Sequence, residues 1–244
     1  MGTERVDKVL VTRGLFESRA SAQAAIEAGC VKVAGRVVTK ASEKVPTDAE
    51  IDAEPAHPFV SRGGVKLAHA LEVTACDSAE CVAIDVGAST GGFSDALLQR
   101  GAKRVYAIDV GRGQLHPKLA EEARLISIEG MDARKLTAEH VSEPVDLIVC
   151  DASFISLEKL LEVPLSFGRE GTRLIALFKP QFQVGRAAVG KGGIVRNASA
   201  IANAETAFCD WLTAQGWQVE ARIDSPIHGG DGNTERFVCA IKVI

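Results

Sequence analysis

The chain has 244 residues, of which 46% are hydrophobic and 25% are charged, and its formal net charge is −4. This length predicts one large domain and a small one, and the composition is that of a globular protein with an ample core. No apolar stretch approaches the roughly 18 residues that span a bilayer, and the N-terminus lacks the apolar core of a signal peptide. We therefore expect a cytoplasmic protein, and the acidic balance argues against one that coats nucleic acid indiscriminately.

The first 47 residues depart from this acidic balance, with eight Lys and Arg against five Asp and Glu. Their apolar spacing predicts two short helices, of which the second starts at Ser18 or Ser21 and closes at Gly29. A small hairpin follows, with strands at 31–33 and 37–38. We expect a small, mildly basic α+β domain here.

The rest of the chain alternates between helical patterns and apolar strands, beginning with a helix at about 64–73. The predicted strands lie at 82–86, 104–109, 125–128, 145–150, 172–178, 217–223 and 236–243. Such alternation predicts a mostly parallel sheet with helices on both faces, in an α/β, Rossmann-like domain. Because the last two strands are joined by a short link, we expect them to form an antiparallel hairpin at the sheet edge.

The cysteines are scattered and form no CxxC pair, and several of them lie inside apolar runs. They are Cys30, Cys76, Cys81, Cys150, Cys209 and Cys239. This distribution favours free, buried thiols over disulfides or zinc ligands. Nothing in the chain has metal-ligand spacing, so we expect no metal.

A glycine-rich turn, Asp85-Val-Gly-Ala-Ser-Thr-Gly-Gly-Phe-Ser-Asp95, ends the first of these strands. It lacks the G-x-G-x-x-G spacing of dinucleotide sites, and its carboxylate would repel a pyrophosphate. A cationic ligand reverses that argument, because Asp85 attracts the methionine end of S-adenosylmethionine while helix N–H groups receive its carboxylate. The expected cofactor-binding residues of this turn are Asp85, Gly87, Ser89, Thr90, Gly91, Gly92 and Phe93.

Acids also end the next two strands. Asp109 can accept hydrogen bonds from both ribose hydroxyls, and Asp132 can meet the adenine amino group. The alternative is that the glycines only make turns and the acids only cap helices. Three acids after three successive strands, with a glycine-rich turn at the first, favour the S-adenosylmethionine site.

Four charged residues are predicted to meet at one rim: Lys66, Asp151, Lys179 and Glu235. Asp151 and Lys179 end neighbouring strands, where open parallel sheets build their binding sites. A ribose hydroxyl is a poor nucleophile, so its methylation needs alignment and help with proton removal, which Lys179 can give with Lys66 beside it. Nearby lysines favour the neutral amine and carboxylates favour the ammonium, so the protonation state stays open. Alone, each residue also fits a solvated lysine or a capping acid.

These segments resemble the TlyA (haemolysin A-like) family of ribosomal RNA 2′-O-methyltransferases. The resemblance spans nearly the whole chain and includes Ser61-Arg-Gly-Gly-Val-Lys66, the glycine-rich turn, Asp151-Ala-Ser-Phe-Ile-Ser, Phe178-Lys179-Pro-Gln-Phe and Asn233-Thr-Glu235-Arg-Phe. It implies an FtsJ/RrmJ-like, class I S-adenosylmethionine-dependent catalytic domain. It also implies a Lys-Asp-Lys-Glu tetrad on the four charged residues named above.

The N-terminal part resembles the RNA-binding module named after ribosomal small-subunit protein four. The resemblance implies domain boundaries of 1–56 for this module, 57–63 for a linker and 64–244 for the catalytic domain. It also implies that Arg5, Arg19, Lys32, Arg36 and Arg62 face RNA. Family members methylate cytidine 2′-hydroxyls in small ribosomal subunits, and some also do so in large ones. The segment 57–60 does not resemble the linker of the dual-subunit members.

Two other functions compete with this interpretation. The older family name suggests a membrane-lytic protein, but no broad apolar helix face opposite a Lys-rich one is found. A non-catalytic assembly factor would have no need of the two lysines and two acids. The stretches 184–193 and 229–232 are glycine-rich and are interpreted either as lids over RNA or as plain surface connections.

Overall fold

A computed structural model describes residues 2–243, which form two compact units that divide between Pro58 and Phe59. Residues 59–63, assigned to a linker on sequence grounds, belong to the second unit. The Val60 N–H donates to Asp95 Oδ2 at 2.8 Å, and Phe59 packs against a buried apolar cluster.

In its described residues, from Gly2 to Pro58, the first unit contains two helices and five very short strands and buries one small apolar cluster. Its elements are β1 (Thr3–Arg5), α1 (Val6–Thr12), α2 (Arg19–Glu27), β2 (Val31–Val33), β3 (Arg36–Val37), β4 (Lys44–Pro46) and β5 (Ile51–Ala53). β1 pairs antiparallel with β4, and β2 lies between β3 and β5 in a second antiparallel sheet. The predicted helices and hairpin are present.

The start of α2 involves both serines that the sequence offered as its N-cap, Ser18 and Ser21. Ser18 Oγ accepts from the Ser21 N–H at 3.2 Å, and Ser21 Oγ accepts from the Ser18 N–H at 3.3 Å. The two serines thus form one reciprocal capping box. Gly29 ends this helix with a φ of +74°, a conformation that glycine adopts without strain.

The second unit has the predicted alternation. Its elements are α3 (Arg62–Val73), β6 (Val82–Val86), α4 (Gly92–Gln99), β7 (Arg104–Asp109), α5 (Pro117–Ala120), β8 (Leu125–Glu129), β9 (Val145–Cys150), α6 (Leu157–Leu165), β10 (Gly168–Phe178), α7 (Pro180–Gln183), α8 (Ala198–Ala214), β11 (Trp217–Asp224) and β12 (Arg236–Lys242). Short 3₁₀ turns lie at Ala133–Lys135, Arg186–Ala188 and Lys191–Gly193.

The seven strands of this unit form one sheet in the order β11-β12-β10-β9-β6-β7-β8. All neighbours are parallel except that β12 runs antiparallel to both β10 and β11. Large apolar clusters cover both faces, which accounts for the continuous apolar sequence of the central strands. The mostly parallel, seven-stranded sheet and its antiparallel edge hairpin are therefore confirmed.

All six cysteines are free, and all but Cys30 are buried. Burial raises the pKa of Cys81, Cys150 and Cys239 to about 12, which leaves these thiols unreactive near neutral pH. Within residues 2–243, no cluster of His, Cys, Asp and Glu is arranged to hold a metal ion. Nor does that part of the chain contain a helix long and apolar enough to cross a membrane.

Candidate active site

The carboxyl ends of the central strands bring the predicted site residues to one edge of the sheet. Asp109 is the last residue of β7, and Asp151 and Lys179 directly follow the neighbouring parallel strands β9 and β10. The Asp151 N–H donates to the Val86 carbonyl at 3.1 Å, which ties the end of β9 to that of β6. Three adjoining cavities open at this edge, as expected for an open α/β sheet.

The first cavity has a volume of about 540 Å³, which falls in the range of small-molecule sites. Apolar side chains such as Val110, Met131 and Ile155 line much of it. Four of the predicted cofactor residues contribute to its wall, namely Gly87, Ser89, Asp109 and Asp132. An apolar slot with acids at its rim suits a nucleoside.

Two glycines of the glycine-rich turn allow the backbone to pack closely against neighbouring segments of the protein. Gly87 has a φ of +81°, and a Cβ there would come within 3.0 Å of the Ala152 Cα. At Gly92, the first residue of α4, a Cβ would lie 2.1 Å from Ser61 Oγ. Both positions therefore require glycine for close backbone approach.

Asp109 and Asp132 lie where sequence reasoning expected ligand contacts. Asp109 accepts hydrogen bonds from the N–H groups of Ser89 at 2.8 Å and Gly111 at 2.7 Å, which fix its carboxylate. Each of its oxygens keeps a second lone pair for a ligand hydroxyl. Asp132 caps the 3₁₀ turn that follows, and its hydrogen bond from Arg134 lowers the pKa of its carboxyl.

Asp85 lies elsewhere than expected. It is fully buried, lines none of the three cavities, and accepts a hydrogen bond from Ser94 Oγ at 2.7 Å. Burial raises the pKa of this carboxyl to about 7, and the Ser94 hydrogen bond offsets part of that effect. Its other oxygen, Oδ1, has no hydrogen-bond partner. Gly91 also lies outside the cavity walls and packs against Leu119 instead.

The second and third cavities continue from the first. The second, of about 210 Å³, is lined by Thr90, Gly92 and Phe93 of the glycine-rich turn together with Asp151 and Lys179. The third, of about 450 Å³, contains Lys66, Lys179 and Glu235 in its wall. The predicted tetrad therefore meets along one continuous surface.

Each lysine of the tetrad faces a carboxylate. Lys66 Nζ lies 2.5 Å from Glu235 Oε2, and Lys179 Nζ lies 2.6 Å from Asp151 Oδ1. Both lysine side chains are only 10% exposed, so these charges are largely removed from water. Lys179 Nζ also donates a hydrogen bond to Ser153 Oγ at 3.1 Å. Close pairing of each ammonium with an acid compensates for its burial.

The two glycine-rich stretches meet at one buried side chain, that of Asn233. Its Oδ1 accepts from the Val195 N–H at 2.9 Å, and its Nδ2 donates to the Gly193 carbonyl at 2.9 Å. Asp231 Oδ2 in turn accepts from Gln181 Nε2 at 2.8 Å. These contacts connect the 184–193 and 229–232 segments beside the third cavity.

Sequence reasoning did not single out two residues of this surface. Ser153 lines all three cavities. Phe154 is 90% exposed, has a φ of +70° and packs against Phe182 with ring centroids 5.1 Å apart and ring planes tilted by 52°. A bulky residue at positive φ and an exposed aromatic ring are both uncommon, and together they indicate a function. Both residues belong to the Asp151-Ala-Ser-Phe segment, which was the available signal.

The residues expected to face RNA are all exposed or half-buried. Arg5 and Arg19 converge on the buried carboxylate of Asp7, at 2.9 and 2.8 Å, and Lys32 lies 3.7 Å from Asp52. The remaining two are Arg36, which pairs with Glu43, and Arg62, whose Nη2 would lie 3.5 Å from a Cβ on Gly230 beside the third cavity.

Together, the sheet order, the glycine-rich turn after its first strand and the cavity at the strand ends define the class I methyltransferase fold. A solved S-adenosylmethionine-bound magnesium protoporphyrin IX methyltransferase from Synechocystis PCC 6803 shares this fold, with 17% identity and a TM-score of 0.51 over 74% of this chain and 80% of that one. Residues 59–242 match the model of FtsJ-like methyltransferases, and residues 4–51 match that of the S4 domain.

Closer relatives cover nearly the whole chain. The 16S/23S rRNA (cytidine-2′-O)-methyltransferase TlyA of Mycobacterium tuberculosis (strain ATCC 25618 / H37Rv) is 40% identical over 96% of this chain and 88% of its own. A structure from Streptococcus thermophilus, named as a hemolysin, is 38% identical with a TM-score of 0.74, and covers 100% of this chain and 90% of that one. The chain belongs to the TlyA (haemolysin A-like) family of FtsJ-like methyltransferases.

Proposed function

We propose that this protein transfers a methyl group from S-adenosylmethionine to the 2′-hydroxyl of a cytidine ribose in ribosomal RNA. The observation that carries the proposal is the position of Lys179, which contacts Asp151 and lies in the walls of both the second cavity, next to the nucleoside-sized first one, and the third cavity. Transfer of a methyl group requires that the donor in one cavity and the acceptor in the neighbouring cavity be held within reach of each other.

The donor side fits S-adenosylmethionine on several independent features. Asp109 is held by two backbone N–H groups at the wall of the first cavity, where it would meet a ribose, and Asp132 stands at the adenine end. Gly87 and Gly92 let the turn pack closely against Ala152 and Ser61, which fixes the cavity walls. When bound, S-adenosylmethionine supplies an electrophilic methyl group on a positively charged sulfur. Asp85, with its unpartnered buried oxygen, would act from beneath the turn by holding the start of α4.

The acceptor side has the chemistry of an RNA site. Lys66, Lys179 and Arg62 supply positive charge near a ribose-phosphate backbone, and the exposed ring of Phe154 offers a face on which a nucleobase stacks. RNA-binding proteins characteristically recognise unstacked bases by stacking them on aromatic side chains. Lys32 and Arg36 would hold RNA to the first unit, because their surface ion pairs exchange readily for phosphates. Arg5 and Arg19 stay bound to the buried Asp7 and would contact phosphates with the exposed parts of their guanidinium groups.

In this assignment the tetrad divides into two pairs. Lys179 acts as a neutral amine, after its ammonium has released a proton to solvent. It then orients the ribose hydroxyl and receives the hydroxyl proton, while Asp151 holds the nitrogen in place. Lys66 stabilises the negative charge that develops on the ribose oxygen, and Glu235 fixes Lys66. No metal is needed for these steps.

The substrate is then ribosomal RNA within a ribosomal subunit. The relative from M. tuberculosis is named for both 16S and 23S rRNA, and we propose that this chain shares at least the activity on 16S rRNA in the small subunit. The S4 domain at 4–51 would deliver the catalytic unit to its target.

The test uses tritium-labelled S-adenosylmethionine with purified small subunits, large subunits or naked ribosomal RNA. Label should enter small-subunit RNA at a 2′-O-methylcytidine, and Lys179→Ala should abolish this while cofactor affinity changes less than threefold. Label on large subunits alone would contradict the small-subunit assignment. No label on any substrate, with cofactor binding verified, would overturn the proposed function, and near-normal turnover of the variant would overturn the role of Lys179.

A further inference from the structure

One hydroxyl group lies where the three cavities join. Ser153 follows Asp151 by two residues and lines all three cavities, whereas each tetrad residue lines at most two. Its side chain is therefore accessible both from the donor side and from the acceptor side.

Ser153 is also in direct contact with the amine of Lys179. Lys179 Nζ donates to Ser153 Oγ at 3.1 Å and lies 2.6 Å from Asp151 Oδ1. The attraction between opposite charges depends mainly on distance, whereas a hydrogen bond requires alignment. Asp151 thus keeps the charge close, and the bond to Ser153 fixes the direction of one N–H.

The backbone on both sides of Ser153 is anchored. Asp151 before it is anchored by its N–H to the Val86 carbonyl, and Phe154 after it is held at a φ of +70° with its ring against Phe182. These anchors on either side restrict the backbone that carries Ser153. The serine is exposed, and its hydroxyl is held by the hydrogen bond from Lys179 Nζ.

We propose that Ser153 is a positioning residue for Lys179. By fixing the rotation of the amine, it directs a remaining position on Nζ toward the place where the ribose hydroxyl meets the methyl donor. This inference rests on the proposed function, because it assigns Lys179 the same proton-accepting role. The serine takes no proton itself and forms no bond to either substrate.

The test compares Ser153→Ala, Ser153→Thr and the control Ser156→Ala. Ser156 belongs to the same segment but lines none of the cavities and makes no side-chain cap of α6. In single-turnover methyl transfer to small subunits, Ser153→Ala should be slower by about tenfold, the effect of one lost hydrogen bond. The KM values for both substrates should stay unchanged, Ser153→Thr should restore most of the rate, and Ser156→Ala should match the wild type.

A purely structural role is distinguished by the pH dependence of the rate. Ser153 Oγ accepts from the amine and so favours its charged form, and its removal should move the midpoint of the rate profile to lower pH. In the cofactor-free protein, the ¹³Cε resonance of Lys179 should show the same displacement in Ser153→Ala only. An unchanged midpoint and a rate within twofold of wild type would overturn the proposal. An inactive wild-type protein would instead overturn the proposed function.

Discussion

Lys66 and Glu235 are 169 residues apart in the chain, and yet Lys66 Nζ lies 2.5 Å from Glu235 Oε2 with both side chains almost fully withdrawn from water. This pair joins the helix that precedes the sheet to the start of the antiparallel strand inserted beside β10. The ion pair therefore stabilises the folded arrangement of the site and also contributes to its charge.

Removal of one partner from this pair should be strongly destabilising. Lys66→Met leaves the Glu235 carboxylate buried without its cation, which should lower the free energy of unfolding by about 3–5 kcal/mol. The double variant Lys66→Met with Glu235→Leu should recover much of that loss. Urea unfolding of the three proteins measures the difference, and equal stabilities of the single variant and the wild type would contradict the buried ion pair.

Asp85 should make the stability of the second unit depend on pH. Its pKa is about 7 in the folded protein and near 4 in the unfolded chain, so folding favours the protonated acid. Its contribution is fully present below pH 4 and is lost as the pH rises toward 7. Asp85→Asn mimics the protonated form and should stabilise the cofactor-free protein at pH 8, by on the order of 2–4 kcal/mol.

The measurement is the urea midpoint of wild type and Asp85→Asn at pH 5 and pH 8, with the exposed Asp210→Asn as the control. The difference in urea midpoint between Asp85→Asn and wild type should be clearly larger at pH 8 than at pH 5. The same difference at both pH values would show that Asp85 does not titrate in this range.

Asp7 should give the first unit a pH dependence of stability opposite to the one that Asp85 gives the second unit. Hydrogen bonds from Arg5, then from Arg19 and Gln23, hold the pKa of this buried carboxyl well below its usual range. The stability that it supplies is full above about pH 4 and is lost as the pH falls below that value. Asp7→Asn should therefore destabilise α1 and α2 at pH 7 by about 1–3 kcal/mol.

Hydrogen exchange of the α1 and α2 amides at pH 7 reports this loss within the full chain. The matched control is Glu4→Gln, which removes an exposed pair with Lys8 at 3.4 Å and should change little. The same exchange rates in Asp7→Asn and Glu4→Gln would refute the clustering of arginines on Asp7 as a source of stability.

Asn233 should couple the two glycine-rich segments beside the third cavity. Asn233→Asp keeps an acceptor for the Val195 N–H but replaces the donor to the Gly193 carbonyl by a second acceptor. Both 184–193 and 229–232 should then exchange amide hydrogens faster. Gln181→Ala, which removes only the contact to Asp231, should affect the second segment alone. Faster amide exchange in only one of the two segments of Asn233→Asp would contradict the coupling.

Sequence reasoning located the sheet well because its signals are local and repeated. Continuous apolar runs placed β6, β7 and β9 at their observed bounds, and strand ends placed Asp109, Asp151 and Lys179 at one edge. The first unit was less predictable, because β1, β4 and β5 have three residues each, too few to show a period.

The sequence placed most of the candidate residues at one edge of the sheet but did not predict the contacts that they make. Asp85 looked like a ligand contact because it follows an apolar strand, whereas burial beneath the turn and the bond to Ser94 place it behind the wall. Ser153 could not be chosen from its neighbours, since a serine in a polar loop has no distinguishing pattern. Only the packing of β9 against β10 brings its hydroxyl to Lys179.

The central strands have a consequence for protein engineering. The sheet, and not the continuity of the chain, sets the spacing between the reacting groups, since β9 lies hydrogen-bonded between β6 and β10. The segment before β9 is exposed at Ala138 and Glu139. A chain divided there yields one fragment with Lys66 and another with the remaining three tetrad residues. Regained methylation on mixing would make this enzyme a split reporter for the association of fused partners.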